Sequence, residues 1–371
     1  MKTILHLFKV YKGNQSLLND IVNSGGDGHR SIACFLGGDD DGFNNMYNSA
    51  DMVVYLGGDR RKIKWSNIKI VKDLKKLIED EGVDLVICHT WRPMAIGVLT
   101  KYLSKSRPKV VGIFHGVRTG AVTFSKKILF RIVFSGMDKI VGVSNACVED
   151  IANYFWSVDK RKLVSIPNGI DCEPFLAVDP QNKEEVFTAD CKNKFVFIAV
   201  SRLAAVKNLE RFILAFHKLI QVNDKAVFVI VGAGPLEEKL KALVQKKELF
   251  NHVFFVGFKN NVPNLLKSAD VFVMPSLREG LSRSLLEAMV SEKPVLASNI
   301  DSISEVVDDY VHGRLVNPED VEDILGALLF VIGSDNKALK AMGLSAKKRV
   351  LEKYTSEIMQ KNYFDLFSSM L

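Results

Sequence analysis

Two glutamates separated by seven residues, Glu279 and Glu287, stand in the segment Pro275-Ser276-Leu277-Arg278-Glu279-Gly280-Leu281-Ser282-Arg283-Ser284-Leu285-Leu286-Glu287-Ala288-Met289. The run Asp270 to Met274 before them reads as a buried strand, and Leu285, Leu286 and Met289 give the period of a packed helix. Glu279 therefore falls at the carboxyl end of a strand, where open α/β sheets bind their ligands. A helix starting near Ser282 offers unpaired N–H groups and a positive dipole end to a phosphate. Glu287, inside that helix, can accept hydrogen bonds from a diol. This arrangement suits gripping a nucleotide sugar. Two other readings compete. Ser284 with Glu287 fits a capping box that serves only the helix start. Gly280 to Ser284 approaches the nucleophile elbow of serine hydrolases, but it lacks the second glycine and no Ser-His-Asp order surrounds it.

Cations come next. Arg202 and Lys207 lie in the loop after the predicted strand Phe195 to Val200 and just before an amphipathic run that begins at Asn208. A helix N-terminus there adds positive field, and the three together would stabilise charge building on a departing diphosphate. Solvated lysine and arginine are the competing reading. Gly232-Ala233-Gly234 precedes Pro235, which suits a first helical position. The third glycine and the acidic ribose partner of a dinucleotide fingerprint are missing, so a nicotinamide dehydrogenase is disfavoured, while the glycines could still let backbone approach a nucleotide. His115 ends the predicted strand Val110 to Phe114 and precedes Gly116, which points it away from a core; His89, after Cys88, is a second candidate. Asp39-Asp40-Asp41 lies between Gly37-Gly38 and Gly42 and reads as a solvated loop rather than a metal site. The five cysteines form no C-x-x-C pair and the seven histidines no H-x-x-x-H pair, so reduced structural thiols and no metal are expected.

These groups need a scaffold, and 371 residues suffice for two domains with separate cores. Short β-rich runs alternate with amphipathic stretches, which predicts βαβ units and parallel sheets. Seven strands are expected between Thr3 and Ile166, namely 3–8, 31–36, 52–56, 84–88, 110–114, 139–143 and 163–166, and five more at 195–200, 227–231, 253–256, 271–274 and 295–297. Asp171 to Lys194, polar and without clear period, is the expected linker. With 47% hydrophobic and 25% charged residues the chain reads as a globular protein, and no apolar run approaches the roughly 18 residues of a membrane span. The apolar N-terminal stretch is interrupted by His6 and Lys9, a poor signal peptide, so the cytoplasm is the expected compartment. A net charge of +7 favours an anionic partner, and no nucleic-acid motif is present. Basic residues concentrate in the N-terminal half, at Arg60-Arg61-Lys62-Ile63-Lys64-Trp65 and along 118–131. In the latter, Arg118, Lys126, Lys127 and Arg131 alternate with Val122, Phe124, Ile128, Leu129 and Phe130. That pattern suits either docking on an anionic membrane or a helix packed on its sheet.

The segment 275–298, with Lys293-Pro294-Val295-Leu296-Ala297-Ser298 as the strand after the helix, resembles the E-x7-E block of retaining GT-B glycosyltransferases of family 4 (glycosyl transferases group 1). Five further stretches follow in family order: Ile166-Pro167-Asn168-Gly169-Ile170-Asp171; Ser201-Arg202-Leu203 with Lys207; Val231-Gly232-Ala233-Gly234-Pro235-Leu236; Val256-Gly257-Phe258; and Glu305-Val306-Val307 leading to Gly313. Each is weak alone, but together they span roughly half the chain. The resemblance implies an α/β protein of GT-B fold, two Rossmann-like doubly wound domains facing a central cleft. Residues 1–171 would bind the acceptor and 172–354 the nucleotide sugar, with a last helix, about 355–371, packing back on the first domain.

By the same resemblance, Glu279 orients the donor sugar, Gly280, Leu281 and Ser282 meet sugar and phosphate, and Glu287 holds the ribose. Arg202 and Lys207 hold the diphosphate, the base meets backbone at Phe258 to Lys259, and His115 contacts donor sugar or acceptor. Two departures stand out. Ser282 occupies a position where the family often has glycine, which leaves the donor sugar open. The N-terminal Gly-Gly pair is replaced by Lys12-Gly13, so Gly13 is either a phosphate-approach or an ordinary turn glycine. The implied activity is metal-independent, cofactor-free, retaining transfer of a sugar from a nucleoside diphosphate sugar, a UDP-sugar first. The acceptor would be a glycan or lipid-linked molecule in surface polysaccharide or lipopolysaccharide synthesis, and the enzyme peripheral to the inner face of the membrane. A nucleotide-sugar 2-epimerase and a catalytically silent nucleotide-sugar-binding scaffold are the alternatives.

Overall fold

The computed structural model of the chain describes all residues except 11–15, 26–27, 39–49, 59–66, 117–123, 156–157, 180–182, 188–190 and 192. Gly13, Asp39 to Asp41, the basic run at Arg60 and the first residues of the 118–131 stretch lie outside the described residues, as do the side chains of 124–127. The chain divides into two compact units, residues 1–168 with 356–371 and residues 169–355.

The first unit alternates strand and helix in the order β1 (Lys2–Val10), α1 (Ser16–Asn23), β2 (His29–Gly37), β3 (Met52–Gly58), α2 (Ile68–Asp80), β4 (Leu85–His89), α3 (Trp91–Leu103), β5 (Lys109–Phe114), α4 (Phe124–Gly136), β6 (Lys139–Gly142), α5 (Asn145–Tyr154) and β7 (Leu163–Ser165). Its seven strands are ordered β3-β2-β1-β4-β5-β6-β7, with parallel pairing throughout. Side chains alternate across a strand, so Leu5, Leu7, Val86 and Cys88 bury one face against α2, α3 and α4. Phe8, Ala33 and Phe35 bury the other with Val22 of α1.

The second unit follows with α6 (Glu173–Leu176), α7 (Lys183–Phe187), β8 (Phe195–Val200), α8 (Leu209–Ile220), β9 (Ala226–Val231), α9 (Glu237–Lys246), β10 (Val253–Gly257), α10 (Val262–Ser268), β11 (Val271–Met274), α11 (Arg283–Val290), β12 (Val295–Ser298), α12 (Asp301–Ser304), β13 (Gly313–Val316), α13 (Val321–Gly333) and α14 (Asn336–Lys353). Its sheet runs β10-β9-β8-β11-β12-β13, again parallel. The final helix, α15 (Ser356–Met370), belongs to the first unit. There Tyr363 and Phe367 are fully buried, the Phe367 ring meets His6 edge-on at 6.1 Å, and the Ser356 hydroxyl donates to Asp20 of α1 at 3.2 Å.

All twelve expected strands form within a few residues of their expected ends. Two readings need correction. Asp171 to Lys194 is not a bare linker: it carries α6 and α7, buries Phe175 and Phe187, and ties Lys183 to Asp270 at 2.5 Å. β13 escaped notice because Leu315 and Val316, after a glycine and an arginine, are too short an apolar run to read as a strand. Its start requires glycine, since Gly313 has φ 146° and a Cβ there would lie 1.9 Å from the Val295 carbonyl oxygen.

Candidate active site

In the second unit the strand order reverses between β8 and β11, and the loops leaving the carboxyl ends of these two strands, with the helix that follows β11, carry the predicted donor-site residues other than Lys259 and Gly13. From β8 the chain passes Arg202, which is exposed, and enters a short 3-10 turn, Ala205–Lys207. Asn208 then adopts the left-handed conformation, φ 54° and ψ 28°, and starts α8. Asparagine tolerates this backbone better than most residues. Here its amide also donates to the Pro318 carbonyl at 2.7 Å, while its side-chain oxygen accepts from Arg211 at 3.3 Å.

Glycines hold the Arg202 loop from behind. A Cβ on Gly232 (φ 131°) would come within 2.0 Å of the Ser201 carbonyl oxygen, and one on Gly234 within 2.4 Å of that of Leu203. Leu203 N–H donates to Ala233 O at 3.0 Å, and Leu236 N–H to Leu203 O at 3.1 Å. Gly232-Ala233-Gly234 is thus a seat for the β8 loop, which corrects the reading of these glycines as an approach to the nucleotide.

From β11 the chain passes Ser276 and reaches Glu279. The Leu277 N–H donates to the Val206 carbonyl at 2.8 Å, binding this loop to the lysine turn. Lys207 Nζ then sits 2.6 Å from Glu279 Oε1, with the two side chains only 18% and 12% exposed. A charge-assisted bond this short and this sheltered fixes both groups. Gly280 and Leu281 complete the loop, Leu281 being buried, and Ser282 is the N-cap of α11 in an extended conformation. Its hydroxyl makes no cap bond and instead lies 3.2 Å from that of Ser284.

The helix begins at Arg283, so Ser284 is its second residue rather than its cap, and the capping box of Ser284 with Glu287 does not form. Glu287 stands in the second turn, partly buried. Burial raises its carboxyl above the usual range, and the nearby Arg283 charge offsets part of the rise. Two hydroxyls at this edge, Ser201 Oγ and Ser276 Oγ, are buried without a hydrogen-bond partner among the described residues. Sequence reading passed over both, since a single serine after a strand carries no signal of its own. Lys259 is exposed beyond β10, the outer strand on this side of the sheet, next to Phe258, which is also exposed.

His115 lies in the first unit, just past β5, with Nε2 buried and unpartnered among the described residues; burial lowers its imidazole to about 4. His89 ends β4 and is buried with both ring nitrogens unpartnered among the described residues. The structure therefore joins Lys207 and Glu279 directly. Arg202, Gly280, Leu281, Ser282 and Glu287 share their sheet edge, and His115 takes its place at the carboxyl edge of the other sheet.

Residues 181–349 match the family of glycosyl transferases group 1, and residues 26–174 match glycosyltransferase family 4. This chain is a group 1, family 4 glycosyltransferase. Over 327 residues it is 29% identical to the UDP-Gal:alpha-D-GlcNAc-diphosphoundecaprenol alpha-1,3-galactosyltransferase of Escherichia coli, covering 82% of each chain. It is 24% identical to the O-antigen biosynthesis glycosyltransferase WclY of Escherichia coli, over 83% of this chain and 85% of that one. Among solved structures, Anabaena HepE in complex with UDP superposes with a TM-score of 0.83 at 18% identity, over the full length of both chains. That likeness, with the two parallel doubly wound sheets, establishes the Rossmann-like GT-B fold for this glycosyltransferase.

Proposed function

We propose that this glycosyltransferase moves a sugar from a UDP-sugar to a lipid-linked or glycan acceptor in surface polysaccharide synthesis, with retention and without a metal. The observation that carries the reading is the contact of Lys207 with Glu279 beside the first turn of α11. It sets a cation for the diphosphate against a carboxylate for sugar hydroxyls, at the end of the sheet where a helix N-terminus adds positive field. Arg202 supplies a second cation and Glu287 a ribose acceptor. As the diphosphate departs, charge grows on its oxygens, and fixed cations favour that state over the ground state. Glu279, held by Lys207, is suited to orient hydroxyls rather than to attack carbon. This supports a same-face route in which the leaving phosphate takes the acceptor proton.

The relatives support this choice of donor and acceptor: one of them is named for UDP-Gal and a diphosphoundecaprenol-linked acceptor. A lipid-linked acceptor calls for the membrane surface, and among the described residues no helix is long and apolar enough to cross a bilayer. We assign docking to the basic stretch at 118–131. Leu129 and Phe130 of α4 pack on the core, whereas Ile128 (48% exposed), Ile132 (56%) and Arg131 face outward. Anionic vesicles should retain the protein, salt should release it, and Lys126→Glu with Lys127→Glu should abolish retention. Equal binding to neutral vesicles would exclude this surface.

Thermal-shift comparison of UDP-, GDP- and ADP-sugars, followed by nucleoside diphosphate release with and without acceptor, tests the whole reading. Stabilisation by a UDP-sugar and acceptor-dependent UDP release, unaffected by EDTA, are expected. Binding with no release would make the chain a silent nucleotide-sugar binder, and loss of activity in EDTA would return attention to Asp39 to Asp41.

A further inference from the structure

One ring from each of five neighbouring strand lines stacks across the first sheet. Tyr55 of β3 lies 5.2 Å from Phe35 of β2 with planes 19° apart, and Phe35 lies 5.1 Å from Phe8 of β1 at 22°. Phe8 lies 4.4 Å from His89 of β4 at 19°, and His89 lies 5.9 Å from His115, just past β5, at 15°. The row follows the spatial order β3-β2-β1-β4-β5 and crosses the point between β1 and β4 where strand order reverses. Register produces it. Phe8 pairs with Phe35, Phe35 with Tyr55, and Leu7 with Cys88, which brings Phe8 beside His89. His89 pairs with Ile113, two residues before His115 and so on the same face. Paired residues on neighbouring strands sit about 4.8 Å apart, which is the spacing of stacked rings.

The middle of the row is buried and its end at His115 is partly open. A functional histidine is commonly oriented by a hydrogen bond to its second ring nitrogen. Here Nε2 of His115 and both nitrogens of His89 are buried without a hydrogen-bond partner among the described residues. Among the described residues the ring that stacks on His115 is that of His89, which is backed in turn by Phe8 at 4.4 Å and by His6 at 5.9 Å. The backbone leaving His89 is equally constrained. Thr90 has φ 79° and ψ 165°, a region nearly confined to glycine, and it turns the chain at once into α3.

We propose that His89 is a positioning residue: clamped between Phe8 and His115, it sets the plane of the His115 imidazole by ring stacking, so that His115 meets the substrate in one orientation. The proposal rests on reading His115 as the substrate-facing histidine of the first unit. Its prediction separates ring from nitrogen. His89→Leu, which fills the volume without a flat face, should lower kcat about tenfold with KM for the UDP-sugar within about twofold, as loss of orientation does. His89→Phe should restore kcat to within about threefold. In protein with isotope-labelled histidine, the Hε1 resonance of His115 should move in His89→Leu, because the ring current of its neighbour is gone.

A Phe variant as impaired as the Leu variant would overturn the proposal, since the nitrogens of His89 would then be the working part. So would an unchanged kcat or an unmoved His115 resonance in His89→Leu. Phe8→Leu, which loosens the stack from the far side, should shift the same resonance by less and guards against a folding defect at position 89. Full activity in His115→Ala would instead defeat the reading of His115, and the resonance measurement would still report whether the stack holds the ring.

Discussion

Lys207 and Glu279 meet at 2.6 Å in a sheltered site, so removing either leaves the other's charge uncompensated. Lys207→Ala and Glu279→Ala should each reduce turnover at least tenfold, and the double variant should lose less than the two together, with a coupling of roughly 1–2 kcal/mol. Strict additivity in kcat/KM would separate the two residues functionally. Glu287→Gln should weaken UDP binding more than it lowers Tm, because the residue caps nothing; a matched fall in Tm with intact affinity would make it a structural group. Burial holds His6 at about 3 and His115 at about 4, below the ordinary 6.5. The unfolded chain then takes up protons that the folded one refuses, so stability is complete above pH 6.5 and drains away as pH falls toward 4. At pH 5 each buried imidazole costs roughly 2 kcal/mol. Melting temperatures recorded from pH 7.5 to 4.5 should decline, less steeply in His6→Phe, and a flat profile down to pH 5 would contradict the burial. The placement of Glu279, Glu287, Arg202 and Lys207 at one sheet edge was legible, because strand ends and helix starts mark where charge can serve a ligand. The pairing of Lys207 with Glu279 was not, since it joins residues 72 apart in sequence.

The turn from β8 into α8 depends on a single left-handed residue. Asn208→Ala should cost about 1–3 kcal/mol, from the strained φ and from the lost bond to Pro318, and should weaken UDP binding by displacing Lys207. Asn208→Gly should recover the backbone term alone, leaving an intermediate midpoint in denaturant. If alanine matched wild type in both measurements, the loop would be held by Gly232 and Gly234 without help from the cap. Strands were read well, since buried parallel strands are continuous runs of Val, Ile, Leu and Phe whose ends fall at glycine or charge. What failed was whatever needed a distant partner. Gly234 looked available to a nucleotide until Leu203 was found against it, and Ser284 looked like a cap until the helix was seen to start one residue earlier, at Arg283. The row from Tyr55 to His115 was equally hidden, because it emerges only when five strands are placed in register.

At the scale of the whole chain, the second unit is opened and closed at neighbouring points. Ile170 and Thr355 form a parallel bridge, and the Ile170 N–H donates to the Tyr354 carbonyl at 3.0 Å. Both residues belong to the second unit, whereas the helix that follows Thr355 belongs to the first. In genetic terms residues 169–355 are a cassette: a self-contained insert whose two splice points touch. Such an insert can be lifted out without leaving distant loose ends, because its own termini are already side by side. Expressed alone, residues 169–355 should melt cooperatively and bind UDP within about tenfold of the intact protein, as all the residues proposed above to meet the donor, except His115 and Gly13, lie within it. Failure to fold alone would mean that the bridge at Ile170 is held shut by the rest of the chain. The host should be equally tolerant of the reverse operation, with foreign domains of matching end spacing spliced between Asn168 and Ser356, so evolution could exchange the inserted unit as a module while keeping one host frame.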